Sequence, residues 1–205
     1  MDQESAVRNF VNAMLLAAIV AFPCAADGGE KKGQKKVAGK PPAKTVDIGK
    51  QAPAFKIKGS DGKVIDLAQL TKKGPVLVRL TCGCAGCDKE LAYFQTLHDA
   101  YKGKGLVSLA IFREPDAKVE KYVKSKKLKM LYANDPKGAS WKIFQTKTMP
   151  TNFLIEKGGR IKAIAAGCDP SGLVAEILSK KVSDLLQTKT ADVRKKVLKK
   201  KEQKK

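Results

Sequence analysis

The strongest constraint on this chain is a junction. An apolar run at residues 76–80 ends against Cys82, Cys84 and Cys87, and beyond them Leu91, Phe94, Leu97 and Tyr101 recur at three- and four-residue steps. The run suits a strand buried on both faces, and the recurrence suits a helix with one apolar face, closed by Gly103 and Gly105. Three thiols therefore sit where a buried strand hands over to a helix. A second such unit follows: residues 106–112 read as a buried strand, and Asp116 can cap a helix whose inner face is Val119, Tyr122 and Val123.

The rest of the pattern fills out an α/β domain with a central mixed sheet flanked by helices and an N-terminal hairpin extension. Gly59-Ser60-Asp61-Gly62 turns between short runs at 55–57 and 64–67. A short strand is predicted near 130–132, and a short helix around Trp141 and Phe144, with Trp141 in the core. Strands at 151–155 and 161–165 flank the hairpin signal Lys157-Gly158-Gly159-Arg160. A last helix is predicted over about 171–180, with Leu173, Ile177 and Leu178 inward.

The ends read differently. Arg8, an apolar run at 14–22 and Pro23-Cys24-Ala25-Ala26 resemble a secretory signal over 1–26, an uncleaved anchor being the alternative. Export would place the protein in the periplasm or an equivalent compartment. Residues 27–47 form a flexible basic linker, because Lys, Gly and Pro bury too little apolar surface to offset ordering entropy. Residues 48–182 are the domain, and 183–205 read as a Lys-rich tail, a frayed basic helix with some helical spacing at Leu185, Leu186 and Val193. The net charge of +21 implies attraction to an anionic membrane or wall. The lysines gather toward the ends instead of interleaving with aromatics, so no specific nucleic-acid site is expected.

Five cysteines are too few for a disulfide scaffold, and the clustering of three points to chemistry. The first turn of a helix presents unpaired N–H groups and a positive dipole end, which stabilises a thiolate at Cys84. In Cys84-Ala85-Gly86-Cys87, Cys84 attacks a partner's disulfide and Cys87, one turn in, resolves the mixed disulfide. Zinc is disfavoured, since there is no second CxxC and the single histidine, His98, leaves only Cys82, Cys168 or an acid to complete four ligands. No metal or cofactor is expected. Cys82 either pairs with Cys84 or is a small apolar residue at the strand end, the second reading being favoured. His98, between charged neighbours, is expected to be exposed.

Residues 76–91, reading VLVRLTCGCAGCDKEL, resemble the active-site segment of extracytoplasmic thioredoxin-like oxidoreductases of the redoxin (alkyl hydroperoxide reductase/thiol-specific antioxidant) superfamily, a group that includes reductants of cytochrome c maturation. Residues 149–155, MPTNFLI, followed by Gly159-Arg160-Ile161, are similar to that family's proline loop, strand and hairpin. The resemblance spans about 48–182 and implies a thioredoxin fold. It further implies that Pro150 is cis beside the dithiol, that Met149 and Thr151 meet substrate, and that Glu90 is a buried acid able to take the Cys87 proton. By the family layout, Cys168 follows the last strand and faces the same surface, near Cys84. The implied partners are exported thiol or disulfide proteins, apocytochrome c among them, and a membrane-linked redox donor. The implied activity is thiol-disulfide exchange, as a reductase.

Two departures stand out. Gly83 replaces the family's usual tryptophan before the first cysteine, removing an aromatic lip and loosening the loop, and Ala85-Gly86 lacks the common proline. Two rivals follow. A peroxiredoxin-like peroxidase fits Thr81, three residues before Cys84, but Leu77 stands where its proline belongs. A non-enzymatic copper or zinc module fits three close thiols.

Overall fold

The computed structural model describes residues 45–203, so the expected leader and most of the linker lie outside the described residues. Its centre is β3 (Val76–Thr81), every residue of which is buried. The parallel neighbours β4 (Val107–Phe112) and β5 (Leu131–Asn134) lie on one side, and the antiparallel β6 (Thr151–Ile155) and β7 (Ile161–Ala166) on the other. The order β5-β4-β3-β6-β7 is the mixed sheet expected from sequence. The predicted N-terminal hairpin is β1 (Lys56–Lys58) paired with β2 (Val64–Asp66).

Alternation along β3 sorts side chains onto two faces. Val76, Val78 and Leu80 join Leu109, Ile111, Trp141, Phe144 and Phe153 in one apolar layer, under α1 (Leu67–Lys73) and α4 (Ala139–Ile143). Leu77 joins Leu91, Phe94, Leu97 and Tyr101 of α2 (Ala85–Tyr101) in the other. The remaining helices are α3 (Asp116–Lys126), α5 (Leu173–Leu185) and α6 (Val193–Glu202). At about 1.5–3 kcal/mol for each large apolar side chain buried, these layers supply most of the drive to fold.

Four expectations need correction. Leu67, read as the end of a strand, opens α1, because the Asp66 carboxylate accepts the Ala68 N–H and caps a helix there. In α5, Leu173 and Ile177 are exposed and the buried face is Ala175, Leu178, Ser179 and Val182. That face packs against the α2 layer, with Ser179 bonding the Tyr101 hydroxyl. His98 is buried, since it stands four residues after Phe94 and three before Tyr101 on the same stripe of α2. Packing also continues past 182: Val193 and Val197 of α6 enter the α2 layer, and the Tyr101 hydroxyl receives the Ala191 N–H at 2.8 Å. The end expected to fray is therefore a docked helix, apolar on one side and lysine-rich on the other.

Both sheet edges meet the N-terminal segment. Gln51 bridges Arg160 beside β7, with Gly49 N–H donating to the Ile161 carbonyl and Ile161 N–H to that of Lys50, each at 2.8 Å. Gly59 bridges Ala133 beside β5.

Candidate functional site

β3 ends at Thr81 and α2 starts at Ala85, so the turn between them carries two of the three clustered cysteines and the first helical turn carries the third. Cys84 is the N-cap residue, in extended backbone and exposed; Cys87 is buried one turn in. The three sulfur atoms lie within 4.8 Å of one another. Cys82 and Cys84 are joined as a disulfide, and the Cys82 sulfur stands 3.2 Å from that of Cys87. The favoured reading of Cys82 as an apolar filler is thus overturned: the strand stops one residue earlier, and the turn brings its half-buried sulfur back over the helix start.

Beneath the cysteines runs a polar network that the sequence did not disclose. Arg79 is 2 % exposed on the α2 face of β3, with its guanidinium carbon 4.1 Å from the centre of the Phe94 ring. It donates to Glu90 Oε2 at 2.6 Å and to Asn152 Oδ1 at 2.9 Å. Glu90, also buried, accepts the Asp169 backbone N–H on its other oxygen. One carboxylate therefore ties β3, α2 and the loop after β7 together. The signal for Arg79 was present, an arginine inside an apolar strand, which has to find a partner when buried.

The loop after β7 brings in Cys168, whose thiol donates to the Gly86 carbonyl at 2.9 Å, between Cys84 and Cys87. Burial, and then the charge of Glu90, push the Cys168 thiol above its ordinary range, which favours the protonated donor. On the other side, the Met149–Pro150 peptide is cis. Thr151 pairs with Leu80 across β6 and β3, which places Pro150 at the cysteine end of the sheet. Met149 is half-buried, and the Pro150 carbonyl accepts the Gly167 N–H at 2.8 Å. The Thr151 hydroxyl donates to the Thr148 carbonyl at 2.8 Å, so it braces the proline loop from within.

Gly83 opens onto a groove of about 230 Å³ lined also by Phe112, Glu114 and Tyr122. Its N–H donates to Glu114 Oε1 at 2.7 Å, so the loop is held at this point. The aromatic wall missing at 83 comes from α3: the Tyr122 ring stands 3.3 Å from where a Cβ on Gly83 would lie. Its hydroxyl donates to Asp88 at 3.0 Å, and burial, reinforced by that carboxylate, pushes its pKa well up.

An exposed sulfur at a helix start, two more sulfurs within reach and a proline loop alongside make a thiol-exchange centre. Residues 48–164 match the AhpC/TSA family. The chain belongs to that family. Among AhpC/TSA relatives, the thiol-disulfide oxidoreductase ResA of Bacillus thuringiensis subsp. konkukian is 36% identical over 117 residues, covering 57% of this chain and 68% of that protein. The sporulation thiol-disulfide oxidoreductase A of Bacillus subtilis is 30% identical over 158 residues, covering 75% of this chain and 86% of that protein. A solved DsbE-type thiol:disulfide interchange protein from Chlorobium tepidum superposes with a TM-score of 0.63 at 26% identity, covering 69% of this chain and 99% of that one. These likenesses confirm the thioredoxin fold, and this AhpC/TSA chain is a thiol-disulfide oxidoreductase. No helix among the described residues is long and apolar enough to cross a membrane.

Proposed function

We propose that the protein reduces disulfides in exported proteins, with Cys84 as the attacking thiol and Cys87 as the resolving one. The observation that carries this reading is the exposed Cys84 at the start of α2 with the buried Cys87 one turn behind it. The Cys84 thiolate attacks one sulfur of the partner's disulfide; that bond breaks, and the released partner thiolate takes a proton from water. The Cys87 thiolate then attacks Cys84, expelling the second partner thiolate and leaving a Cys84–Cys87 disulfide that a dithiol donor must reduce. The cis Met149–Pro150 peptide borders the path along which a partner strand lies, and Cys168 flanks it from the other side; Thr151, expected to meet substrate, is buried and supports the proline loop from beneath. Glu90 serves by fixing Arg79 and the 167–169 loop, since both its oxygens are already engaged.

Export is supported by the leader-like composition of 1–26, and apocytochrome c and a membrane-linked dithiol donor fit as partners. The test is insulin reduction driven by dithiothreitol. Cys84→Ser is expected to abolish turnover, and Cys87→Ser combined with Cys82→Ser to accumulate a mixed disulfide with insulin, visible by mass once the reduced protein is freed of dithiothreitol. Turnover surviving in Cys84→Ser would refute the assignment. A second reading, a Cu(I) module, rests on the three neighbouring sulfurs; tight stoichiometric copper binding without insulin reduction would favour it.

A further inference from the structure

The dithiol reading leaves Cys82 without a role, yet its sulfur sits between the other two. It is bonded to exposed Cys84 and lies 3.2 Å from buried Cys87, so it already touches both partners of the exchange. We propose that Cys82 is a third redox thiol: in the oxidised protein the disulfide moves inward, from Cys82–Cys84 to Cys82–Cys87, and frees Cys84 to rearrange disulfides in a partner protein.

The step is internal and balanced. The Cys87 thiolate attacks the Cys82 sulfur, the Cys82–Cys84 bond breaks, a Cys82–Cys87 bond forms, and the electron pair leaves on Cys84. The proton that Cys87 gives up goes to water, and no oxidant is consumed. Cys84 is the suitable leaving group because it stands at the positive end of α2 and in solvent, where a thiolate is best stabilised. The bond that results is withdrawn, since Cys87 is 3 % exposed and Cys82 half-buried.

This rests on Cys84 being the attacking thiol, and extends what it does. In the reduced protein Cys87 is free to resolve, and the partner is reduced. With Cys87 bonded to Cys82, a mixed disulfide on Cys84 has no resolver left within the 82–87 cluster. It is released when another thiol of the same partner attacks the partner's sulfur in the mixed disulfide. The partner leaves with a re-paired disulfide, Cys84 returns as a thiolate, and the electron count of both proteins is unchanged. The partner class is therefore a protein with at least one mispaired disulfide and a free thiol.

The test uses the full chain oxidised by one equivalent of diamide. A brief pulse of one alkylating reagent is followed by reduction and a second reagent of different mass. The three cysteines share the tryptic peptide 80–89, so fragmentation of that peptide assigns each label. The expected result is the first reagent on Cys84 and the second on Cys82 and Cys87. The first reagent on Cys82 means an ordinary Cys84–Cys87 bond, and on Cys87 means no inward step; either overturns the proposal. Oxidised wild type is also expected to reactivate scrambled ribonuclease about tenfold faster than oxidised Cys82→Ser, whose remaining pair closes as Cys84–Cys87. Both proteins carry Cys168→Ser in addition, so that the free thiol beside Gly86 plays no part in the comparison. Equal rates would overturn the isomerase activity. Insulin reduction by the dithiol form reads the underlying assignment separately: if it persists while the labels disagree, only the role of Cys82 falls.

Discussion

At the scale of single residues, Arg79 organises the cysteine end. Its charge is buried and matched only by Glu90, so Arg79→Met should cost roughly 3–5 kcal/mol in urea unfolding, most of it the penalty of an unpaired buried carboxylate. Arg79→Met with Glu90→Gln should recover much of that loss, and a single variant as stable as wild type would refute the account. An arginine within an apolar strand announces that a partner exists, but nothing along the chain says that residue 90 of a helix will meet it; only the resemblance placed Glu90 near the dithiol. His98 shows the opposite limit. Its charged neighbours in sequence suggested solvent, while its place on the Phe94–Tyr101 stripe buries it with Nδ1 unpartnered. Burial, and then the charge of Lys102, hold its pKa below the ordinary 6.5. The folded state thus takes up the proton less readily than the unfolded chain, so its contribution is complete above about pH 6.5 and declines as pH falls further. Thermal unfolding followed from about pH 7.5 down to about pH 5 should show this decline, and His98→Leu should flatten it.

At the scale of elements, the docking of α6 depends on a hydroxyl. Tyr101 of α2 receives the Ala191 N–H and bonds Ser179 of α5 at 2.9 Å, while Ser179 donates to the Ala191 carbonyl at 2.7 Å. Tyr101→Phe keeps the ring but strands these groups, and should cost about 1–3 kcal/mol. Amide hydrogen exchange over 191–202 should quicken more than elsewhere; unchanged exchange there would show that Val193 and Val197 suffice. The strands were legible because the sheet is covered on both faces, and such strands appear as plain apolar runs. The helix α2 was legible because a long stripe averages over exceptions. The exposed lysines of α6 outnumber its two buried valines, so composition concealed the docking of a helix that was expected to fray. The inner face of α5 was misread for a related reason: it includes Ala175, Ser179 and Ser183, whose small side chains carry a weaker hydropathy signal than the exposed Leu173 and Ile177.

At the scale of the whole molecule, a net charge of +21 should draw the protein to anionic surfaces in a manner that salt abolishes. Sedimentation with vesicles rich in anionic lipid should show binding at about 0.01 M salt that is lost near 1 M, as the screening length shrinks from about 30 Å to about 3 Å. Equal binding to zwitterionic vesicles would instead indicate an apolar mode. A protein gathered on a surface in this way is crowded against its own copies. Under those conditions a bare sheet edge invites continuous pairing into insoluble aggregates. Here Gly49, Lys50 and Ala52 pair with residues 159–161 at the start of β7, and Gly59 and Ser60 meet Ala133 and Tyr132 of β5, so each edge is interrupted at one point where a neighbouring chain would extend its ladder. The segment that precedes the domain's chemistry in sequence thereby shortens the open ladder at both edges, which disfavours edge-to-edge pairing between crowded copies.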